Sequence, residues 1–473
     1  MTRYELLQPY FEAHISPMIE RNAIDSISRP IFLERAIRML NHLVAQGARY
    51  GDRVVIALDN REEYLELVLA LALGGMTACP VPPDLPQQQL AKVRKQVNAK
   101  LTITDYGQLA YSLDDQLPEC THQGNTDDPF LIVFSSGTTG APKGIVQSLN
   151  NFIGSAISFS KLTGMQPGDK VLHNWPMFYN AGLFNLFACP LVTGASIAVG
   201  KRFAARDLGQ FWKDVSTFQP NWIYLSPTMA TSLTRTAKFF PLARNGLEGA
   251  RIVSTSSILY PSIKEEFRKT FTKSIIPCFG ITELGGSFTF GNEDSPSYSV
   301  GRAIPEATIS LDTKADGEFL VTTPFLALGY VGKSGTIEPF ERGTPFRTGD
   351  LGRLDGEEMI VSGRHKDSIK KGGEFIALSE IEDLANTSGI CIECMAIGRP
   401  DVFWGEVYDI RFIPVANVKP HSAESALSAH FNAHLPQIMR PESVMAVGEL
   451  PRTASGKLIK QPVSYFCDVA DSL

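Results

Sequence analysis

The sequence predicts an α/β protein in which a large N-terminal domain of βαβ subdomains carries a β-rich subdomain and is followed by a small, mobile α+β C-terminal domain. Short apolar runs alternate with helical patterns through the first half of the chain, which is typical of a parallel sheet. Residues 286–362 instead show short alternating runs separated by glycine-rich turns. With 473 residues, the chain is too long for a single hydrophobic core.

The first elements follow from the spacing of apolar residues. Residues 31–49 have apolar side chains at helical intervals and predict an amphipathic helix, and 54–58 predict a buried strand. A helix to about Leu73 and a strand at 101–104 continue the alternation. Further buried strands are predicted at 197–199, 222–225 and 251–254. From residue 363 onward a compact segment has its own helices and strands, so we expect a large domain at 1–364 and a small one at 365–473.

Composition narrows the function classes. The 44% hydrophobic and 20% charged content fits a globular enzyme, and a net charge of −6 without a long basic run disfavours nucleic acid and anionic membranes as partners. The apolar run at 64–73 is too short to span a bilayer and contains Glu66, so no membrane insertion is expected. The first residues do not form a signal peptide, which favours the cytoplasm.

The seven cysteines do not predict a disulfide framework or a metal site. They are scattered and odd in number. Cys391 and Cys394 form a C-x-x-C pattern without a second ligand pair, and the surrounding apolar residues predict a strand.

The most informative segment is residues 135–144, which are rich in glycine and hydroxyl side chains and follow a buried strand predicted at 130–134. Glycines and hydroxyls suit a polyphosphate, because the backbone can turn tightly around oxyanions while Lys143 adds a point charge. The pattern is not a Walker motif, since Pro142 precedes Lys143 and Gly144 follows it. The predicted phosphate-binding residues are Ser135, Ser136, Gly137, Thr138, Thr139, Gly140 and Lys143.

Six segments in order resemble those of the adenylate-forming superfamily, which includes acyl-CoA synthetases, adenylation domains of nonribosomal peptide synthesis and luciferases. The first is the phosphate loop. The others are 279–283 (aromatic-Gly-x-Thr-Glu), 347–350 (with Thr-Gly-Asp), 363–367 (the hinge), 370–374 with 380–382, and 451–457 (the C-terminal lysine loop). Together they cover about residues 30–460, which makes chance resemblance untenable.

The resemblance implies a nucleotide site. Phe279 would stack on adenine, with Gly280, Ser256, Ser257 and Ile258 beside it; many relatives have Gly-Gly-Ala-Pro where this chain has Ser256–Leu259. Asp350 would accept the ribose hydroxyls and Arg364 would hold ribose or phosphate. Thr282 would donate to the α-phosphate. Glu283 would bind Mg²⁺, a hard cation that prefers oxygen ligands.

The resemblance also implies a two-step reaction with ATP, Mg²⁺ and a thiol acceptor, either CoA or the phosphopantetheine of a carrier protein. Lys457 would neutralise charge in the adenylation transition state. The small domain would then rotate about a hinge at Lys366. The loop of Lys371, Gly372 and Gly373 would thereby approach the thiol, because glycines permit a close backbone approach.

The acid pocket is expected around Tyr179, Asn180, Gly182, Leu284 and Gly285. Residues 176–183 contain no acidic side chain to pair with an α-ammonium group, which disfavours an α-amino acid. Asn180 and the Lys371–Glu374 segment are similar to those of aryl-acid-activating members, and a fatty or other aliphatic acid is the alternative. Phe178-Tyr179 replaces an aromatic-His pair common in the family, and Leu149 replaces a common histidine.

Three functions remain open: an acid–CoA ligase, a stand-alone adenylating enzyme that loads a carrier protein in trans, and a non-catalytic nucleotide-binding homologue. The joint presence of Lys143, Glu283, Asp350 and Lys457 favours the two enzymes.

Overall fold

The computed structural model describes residues 1–22, 24–110, 124–135, 143–204, 206–241, 246–312, 317–364, 367–371, 374–416, 418–452 and 458–460, with the backbone alone at 135, 370, 374 and 375. Its α-helices in these ranges are Arg3–Leu7 (α1), Pro9–Glu12 (α2), Arg29–Ala45 (α3), Glu62–Leu73 (α4), Gln87–Val97 (α5), Leu149–Thr163 (α6), Asn180–Leu183 (α7), Cys189–Thr193 (α8), Leu208–Phe218 (α9), Pro227–Thr236 (α10), Pro261–Phe271 (α11), Leu378–Thr387 (α12) and Pro420–His434 (α13). A π-helical turn, Phe184–Ala188, joins α7 to α8, and 3₁₀ turns lie at Tyr106–Leu109, Ala237–Phe239, Thr282–Leu284, Lys333–Gly335 and Gln437–Met439.

The strands are Ile19–Glu20 (β1), Ser26–Ile27 (β2), Arg53–Ile56 (β3), Thr77–Pro80 (β4), Leu101–Ile103 (β5), Pro129–Ser135 (β6), Lys143–Ser148 (β7), Lys170–His173 (β8), Ser196–Val199 (β9), Trp222–Leu225 (β10), Arg251–Ser254 (β11), Ile275–Ile281 (β12), Gly286–Phe290 (β13), Ser299–Ala303 (β14), Thr308–Asp312 (β15), Glu318–Thr322 (β16), Gly329–Val331 (β17), Ile337–Pro339 (β18), Phe346–Asp355 (β19), Glu358–Arg364 (β20), Ser368–Lys371 (β21), Glu374–Ala377 (β22), Cys391–Asp401 (β23), Gly405–Pro414 (β24) and Ser443–Ala446 (β25).

In the described part of the chain these strands form three sheets, of thirteen, seven and five strands. Strands β3, β4, β5 and β6 pair in parallel, as the alternating pattern predicts, and so do β8 to β12. Within the thirteen-stranded sheet, the antiparallel β-rich part joins the parallel part through β12, whose first half pairs with β11 and whose second half pairs with β13. The predicted α/β fold class with a β-rich part is confirmed.

Helix boundaries follow local capping rather than apolar spacing alone. The helix expected at 31–49 begins at Arg29, because the Ser28 hydroxyl accepts from the backbone N–H of Ile31 and Pro30 fits the first turn. It ends at Ala45, just before Gly47, which has a φ of 92°. The end of the predicted range, residues 46–49, therefore lies in the loop after the helix.

The third sheet has a core of its own. Ile376, Ile381, Tyr408, Ile410 and Phe431 belong to a buried cluster separate from that of the two larger sheets. A separate core is what an independent small domain requires. The predicted boundary after residue 364 falls at 365–366, outside the described residues, and stays a prediction.

Two expectations from the sequence concern the cysteines and membrane insertion. Cys391 and Cys394 lie buried in strand β23, as expected, and the described residues contain no group of three or more His, Cys, Asp or Glu side chains that could hold a metal. Among those same residues, no helix is long and apolar enough to cross a membrane.

Candidate active site

The strand before the predicted phosphate loop forms a hairpin with the strand after it. Ser135, the last residue of β6, pairs with Lys143, the first residue of β7. The loop residues Ser136, Gly137, Thr138, Thr139 and Gly140, together with the Ser135 side chain, lie outside the described residues. The register nevertheless fixes both ends of the loop where β6 ends and β7 begins, within the seven-stranded sheet, and Lys143 is exposed there.

The Thr282–Glu283 turn lies between the antiparallel strands β12 and β13 of the thirteen-stranded sheet. It is held by β7 and β17, two strands of the seven-stranded sheet. Gln147 on β7 donates a side-chain hydrogen bond to the Thr282 carbonyl. The Tyr330 hydroxyl on β17 donates to Glu283 Oε1 at 2.9 Å. The backbone N–H of Ala327 donates to the Glu283 carbonyl at 2.8 Å. The turn that carries both predicted catalytic side chains is therefore anchored where the two large sheets meet.

The backbone of this turn requires a glycine at position 285. Its φ is 98°, in the left-handed region that disfavours side chains, and a Cβ there would lie 2.9 Å from the Ser155 hydroxyl. Next to it, Leu284 is fully buried. These two predicted pocket residues thus fix the backbone of the turn through conformation and packing.

Asp350 and Arg364 form an ion pair near this turn. They lie opposite each other on β19 and β20, and Arg364 Nε donates to Asp350 Oδ1 at 2.8 Å. Asp350 is buried and raises the pKa of Arg364, with smaller contributions from Asp367 and Glu283. The charge of Glu283 is therefore close enough to Arg364 to affect the pKa of Arg364. Glu283, Asp350 and Arg364, which are all predicted to contact the nucleotide or its metal, thus form one electrostatic cluster.

The predicted adenine and acid pockets adjoin this cluster. Burial raises the pKa of Tyr179, while a hydrogen bond with Ser256 and the charge of Arg364 oppose that rise. Ser256 has a φ of 84°, the region that favours glycine. The serine that replaces a family glycine thus keeps the glycine-like backbone, and its hydroxyl contacts Tyr179. Ser257 and Ile258 follow it in the same loop after β11.

Three more predicted residues border the same region. The Phe279 ring is partly exposed and packs edge-on against Phe288, with centroids 5.4 Å apart. Gly280 is exposed, and a Cβ on it would lie 2.7 Å from the Gly286 carbonyl oxygen. Gly182 at the start of the acid pocket is similarly restricted, because a Cβ there would lie 2.3 Å from the Pro176 carbonyl oxygen.

Buried polar groups mark the expected acid pocket. Asn180 begins α7, is 7% exposed, and has an Oδ1 without a hydrogen-bond partner among the described residues. His173 is buried at the carboxyl end of β8, where desolvation lowers its pKa to about 4 and keeps the ring neutral at pH 7. Ligands of open α/β sheets bind at the carboxyl ends of parallel strands. Sequence reasoning missed both His173 and the strand β8 that ends at it.

Lys371, in the loop predicted to approach the thiol, makes its side-chain contacts inside the small domain and not with the Glu283, Asp350 and Arg364 cluster. Lys371 is buried within the third sheet, where its Nζ donates to the Arg440 carbonyl at 2.9 Å and lies 2.8 Å from Glu442 Oε1. Gly372, Gly373 and the hinge residue Lys366 lie outside the described residues. The roles of all four stay predictions.

Lys457 also lies outside the described residues, but both ends of its loop are placed. Arg452 and Leu458 form an antiparallel bridge, and Lys460 Nζ lies 2.7 Å from the buried Glu382. Glu382 in turn accepts a 2.7 Å hydrogen bond from the Tyr260 hydroxyl, which belongs to the large-domain part of the chain.

A second acidic residue strengthens this contact between the two parts. Asp383 accepts hydrogen bonds from Ser262 at 2.8 Å and Tyr298 at 3.0 Å. Tyr298 has a φ of 61°, an unusual backbone conformation for a tyrosine. Sequence reasoning identified the Glu380–Glu382 segment but missed its partners, because they lie more than eighty residues away along the chain.

Comparisons with known proteins agree with this fold and identify its family. The AMP-binding enzyme family matches residues 22–331, and its C-terminal domain matches residues 380–457. The chain is 28% identical over 456 residues to sulfoacetate–CoA ligase of Cupriavidus necator, covering 88% of this chain and 87% of that protein. It is 30% identical over 339 residues to 2-succinylbenzoate–CoA ligase of Lactococcus lactis subsp. lactis, covering 70% of each.

Solved structures show the same fold. Anthranilate CoA ligase AuaEII in complex with anthranoyl-AMP has a TM-score of 0.84 at 19% identity and covers 100% of this chain and 98% of that one. O-succinylbenzoate CoA synthetase of Bacillus subtilis with ATP and magnesium has a TM-score of 0.82 at 22% identity, covering 97% and 98%.

Fold and site together define an enzyme of the adenylate-forming class. The chain belongs to the AMP-binding enzyme family. The predicted class, an AMP-forming acid–thiol ligase, is confirmed by the family match and by the CoA ligases among the relatives.

Proposed function

We propose that this chain joins a carboxylic acid to the thiol of CoA in two steps. A carboxylate oxygen attacks the α-phosphorus of ATP, and the bond to pyrophosphate breaks. The thiolate sulfur then attacks the acyl carbon, and AMP leaves. The observation that carries the proposal is the convergence of Glu283, Asp350 and Arg364 in one charged cluster, with Lys143 joined to it through Tyr330.

The residues supply positioning and charge rather than covalent chemistry. The first step brings an anion towards a polyanion, so in-line placement and charge neutralisation account for most of the acceleration. Lys143 and the loop at 135–140 would hold the outer phosphates, and Thr282 would donate to the α-phosphate. Lys457 would neutralise the charge that develops as the acid attacks. Its anchored loop ends support this role, since Lys460 fixes the chain three residues later.

The nucleotide's base and sugar would bind on the other side of the turn. Asp350 would accept the ribose hydroxyls while Arg364 contacts ribose or phosphate. Phe279 would stack on adenine with Gly280, Ser256, Ser257 and Ile258 around it. The partly exposed ring of Phe279 supports this, because a face in contact with solvent is needed for stacking.

Glu283 fits a role as the magnesium ligand. Its Oε1 accepts the Tyr330 hydroxyl, while Mg²⁺ in nucleotide sites needs only one or two protein carboxylates beside the phosphates. Mg²⁺ would neutralise phosphate charge when bound. A single carboxylate beside the phosphate-binding strand is the arrangement that such a site requires.

We propose an aryl or aliphatic acid, rather than an α-amino acid, as the substrate. Residues 176–183, which contain Tyr179, Asn180 and Gly182, have no carboxylate to pair with an ammonium group, and an unpaired buried charge is costly. Asn180 and the neutral His173 instead offer polar contacts. The named substrates of the relatives, sulfoacetate, 2-succinylbenzoate and indoleacetate, are acids without an α-amino group.

We further propose that residues 1–364 and 365–473 act as two domains that move about Lys366. After adenylation, Lys457 would leave the site and the Lys371–Gly373 segment would approach the thiol. Free CoA is the proposed acceptor, and a carrier protein acting in trans is the alternative. The cytoplasm remains the proposed location.

Exchange of labelled pyrophosphate into ATP, over a panel of aryl, aliphatic and amino acids, tests the adenylation step. We expect pyrophosphate exchange that depends on an aryl or aliphatic acid. No exchange with any acid of the panel would indicate a non-catalytic nucleotide-binding protein. Release of a free thioester on addition of CoA tests the acceptor. Exchange without thioester release would instead indicate a carrier protein. Glu283→Gln is the negative control, and Glu357→Gln, on an exposed turn, is its matched control.

A further inference from the structure

Tyr330 contacts both of the opposite charges that the proposed function assigns to magnesium and phosphate. Its hydroxyl donates to Glu283 Oε1 at 2.9 Å. On the same side chain, the ring lies beneath the ammonium group of Lys143, whose Nζ is 5.0 Å from the ring centroid. One side chain therefore connects two residues that lie 140 positions apart along the chain.

Sheet register explains how these groups meet. Strand β17 runs antiparallel to β7, with Tyr330 opposite Ile145. Because side chains alternate along a strand, Lys143 and Gln147 share the face of Ile145 and hence that of Tyr330. Gln147 and Tyr330 both donate to the Thr282–Glu283 turn. This face of the ribbon thus supports the turn and presents Lys143 beside it.

The ring of Tyr330 is itself held in place. Phe340 packs edge-on against it at a centroid distance of 4.8 Å and an interplanar angle of 88°, and Phe346 packs on Phe340 at 5.6 Å. A packed aromatic ring has two side-chain torsions and loses little further freedom when it orients a neighbour. Tyr330 therefore has the rigidity that a positioning residue needs.

We propose that Tyr330 is a positioning residue for MgATP, which fixes one oxygen of the Glu283 carboxylate and holds the Lys143 ammonium over its ring. Hydrogen bonds from outside the set of metal ligands orient a ligating carboxylate, and their loss typically costs about 10- to 100-fold in metal affinity. A cation over an aromatic face is attracted by the negative charge distribution of that face. The inference rests on the proposed roles of Glu283 and Lys143.

Two variants separate the two contacts. Tyr330→Phe removes the hydroxyl and keeps the ring, so the Mg²⁺ concentration for half-maximal ATP binding should rise about 10-fold while AMP binding without Mg²⁺ stays unchanged. Tyr330→Leu also removes the ring, so ATP affinity at saturating Mg²⁺ should fall a further 3-fold or so through Lys143. Isothermal titration calorimetry with ATP, AMP and Mg²⁺ measures both effects without turnover.

Tyr50→Phe is the matched control, because Tyr50 also donates to a carboxylate, that of Asp128, and is not part of the candidate site. It should bind ATP like the wild type at every Mg²⁺ concentration. An unchanged Mg²⁺ dependence in Tyr330→Phe would overturn the inference. Equal weakening of AMP and MgATP would also overturn it, since that outcome indicates a general loss of structure.

The test is independent of whether the enzyme turns over. Wild-type protein that binds ATP in a Mg²⁺-dependent way but exchanges no pyrophosphate would contradict the proposed function and leave the Tyr330 result interpretable. Wild-type exchange together with a Tyr330→Phe variant of unchanged Mg²⁺ dependence would contradict the inference alone.

Discussion

Arg364 lies directly opposite Asp350 on the paired strands β19 and β20, and its Nε donates a 2.8 Å hydrogen bond to Asp350 Oδ1. Asp350 is only 2% exposed, and a buried carboxylate without a partner would be strongly destabilising. The pair therefore holds in place the carboxylate that we propose accepts the ribose hydroxyls. It also places a guanidinium group beside that carboxylate, two residues before the predicted hinge residue Lys366.

Substitution of this carboxylate should weaken nucleotide binding. Asp350→Asn keeps the shape but loses the charge-assisted acceptance of ribose hydroxyls, so ATP affinity measured by calorimetry should fall about 10-fold or more. Asp355→Asn is the control, because Asp355 is on the same strand and pairs with Arg353 in an exposed position. Equal ATP affinity in Asp350→Asn and wild type would remove Asp350 from the site.

The C-terminal lysine should act on the reaction rather than on binding. Lys457→Ala should abolish acid-dependent pyrophosphate exchange while ATP affinity stays within about 3-fold of wild type, because its charge is needed in the transition state. Exchange and calorimetry are measured on the same preparation. Lys419→Ala, at an exposed helix start, should leave both unchanged. Undiminished exchange in Lys457→Ala would contradict its catalytic role.

The contact between the two parts of the chain should support adenylation. Tyr260→Phe removes the 2.7 Å hydrogen bond to Glu382, which also fixes Lys460 beside the Lys457 loop. An unpaired buried acceptor costs about 1–3 kcal/mol, so pyrophosphate exchange should fall at least 5-fold while AMP affinity is retained.

Ser425→Ala provides the control for this interface, since its hydroxyl donates only to its own helix. Thioester formation from preformed acyl-adenylate is measured in parallel. If Tyr260→Phe slows both half-reactions equally, the contact has no particular role in positioning the adenylation loop.

Glu66 should make stability depend on pH. Burial raises its pKa from the ordinary 4.5 to about 7, despite the nearby Arg35. Between these values the folded protein holds a proton that the unfolded chain has lost, so this contribution to stability declines as the pH rises from about 4.5 to 7. Glu66→Gln removes the penalty of the buried charge and should raise Tm at pH 8 but not at pH 4.5.

The size of that effect is at most about 3.5 kcal/mol, since one pKa unit corresponds to about 1.4 kcal/mol. Thermal unfolding across pH 4.5–8 measures it. Glu63→Gln, on the same helix and more exposed, should show no comparable pH-dependent gain. A Glu66→Gln variant with a lower Tm than wild type at pH 8 would mean that the Arg35 ion pair outweighs desolvation.

The sequence by itself determined the alternation of elements, and it predicted the chemistry. Residue type suggested the ligand at each predicted position. Glycines, hydroxyls and Lys143 suit phosphate, the Thr282-Glu283 pair suits phosphate and magnesium, and the Asp350 carboxylate suits ribose hydroxyls. The strands predicted at 222–225 and 251–254 agree with the structure to the residue, because a short apolar run is typical of a strand that is buried on both faces of a parallel sheet.

Only the tertiary structure decided which side chains meet. Tyr330 reaches Glu283 over 47 residues, and Tyr260 reaches Glu382 over 122. Neither contact has a local signal, because it depends on sheet register and on the packing of separately folded parts. The left-handed backbone of Ser256, where relatives have glycine, likewise results from surrounding packing that overrides the residue's own preference.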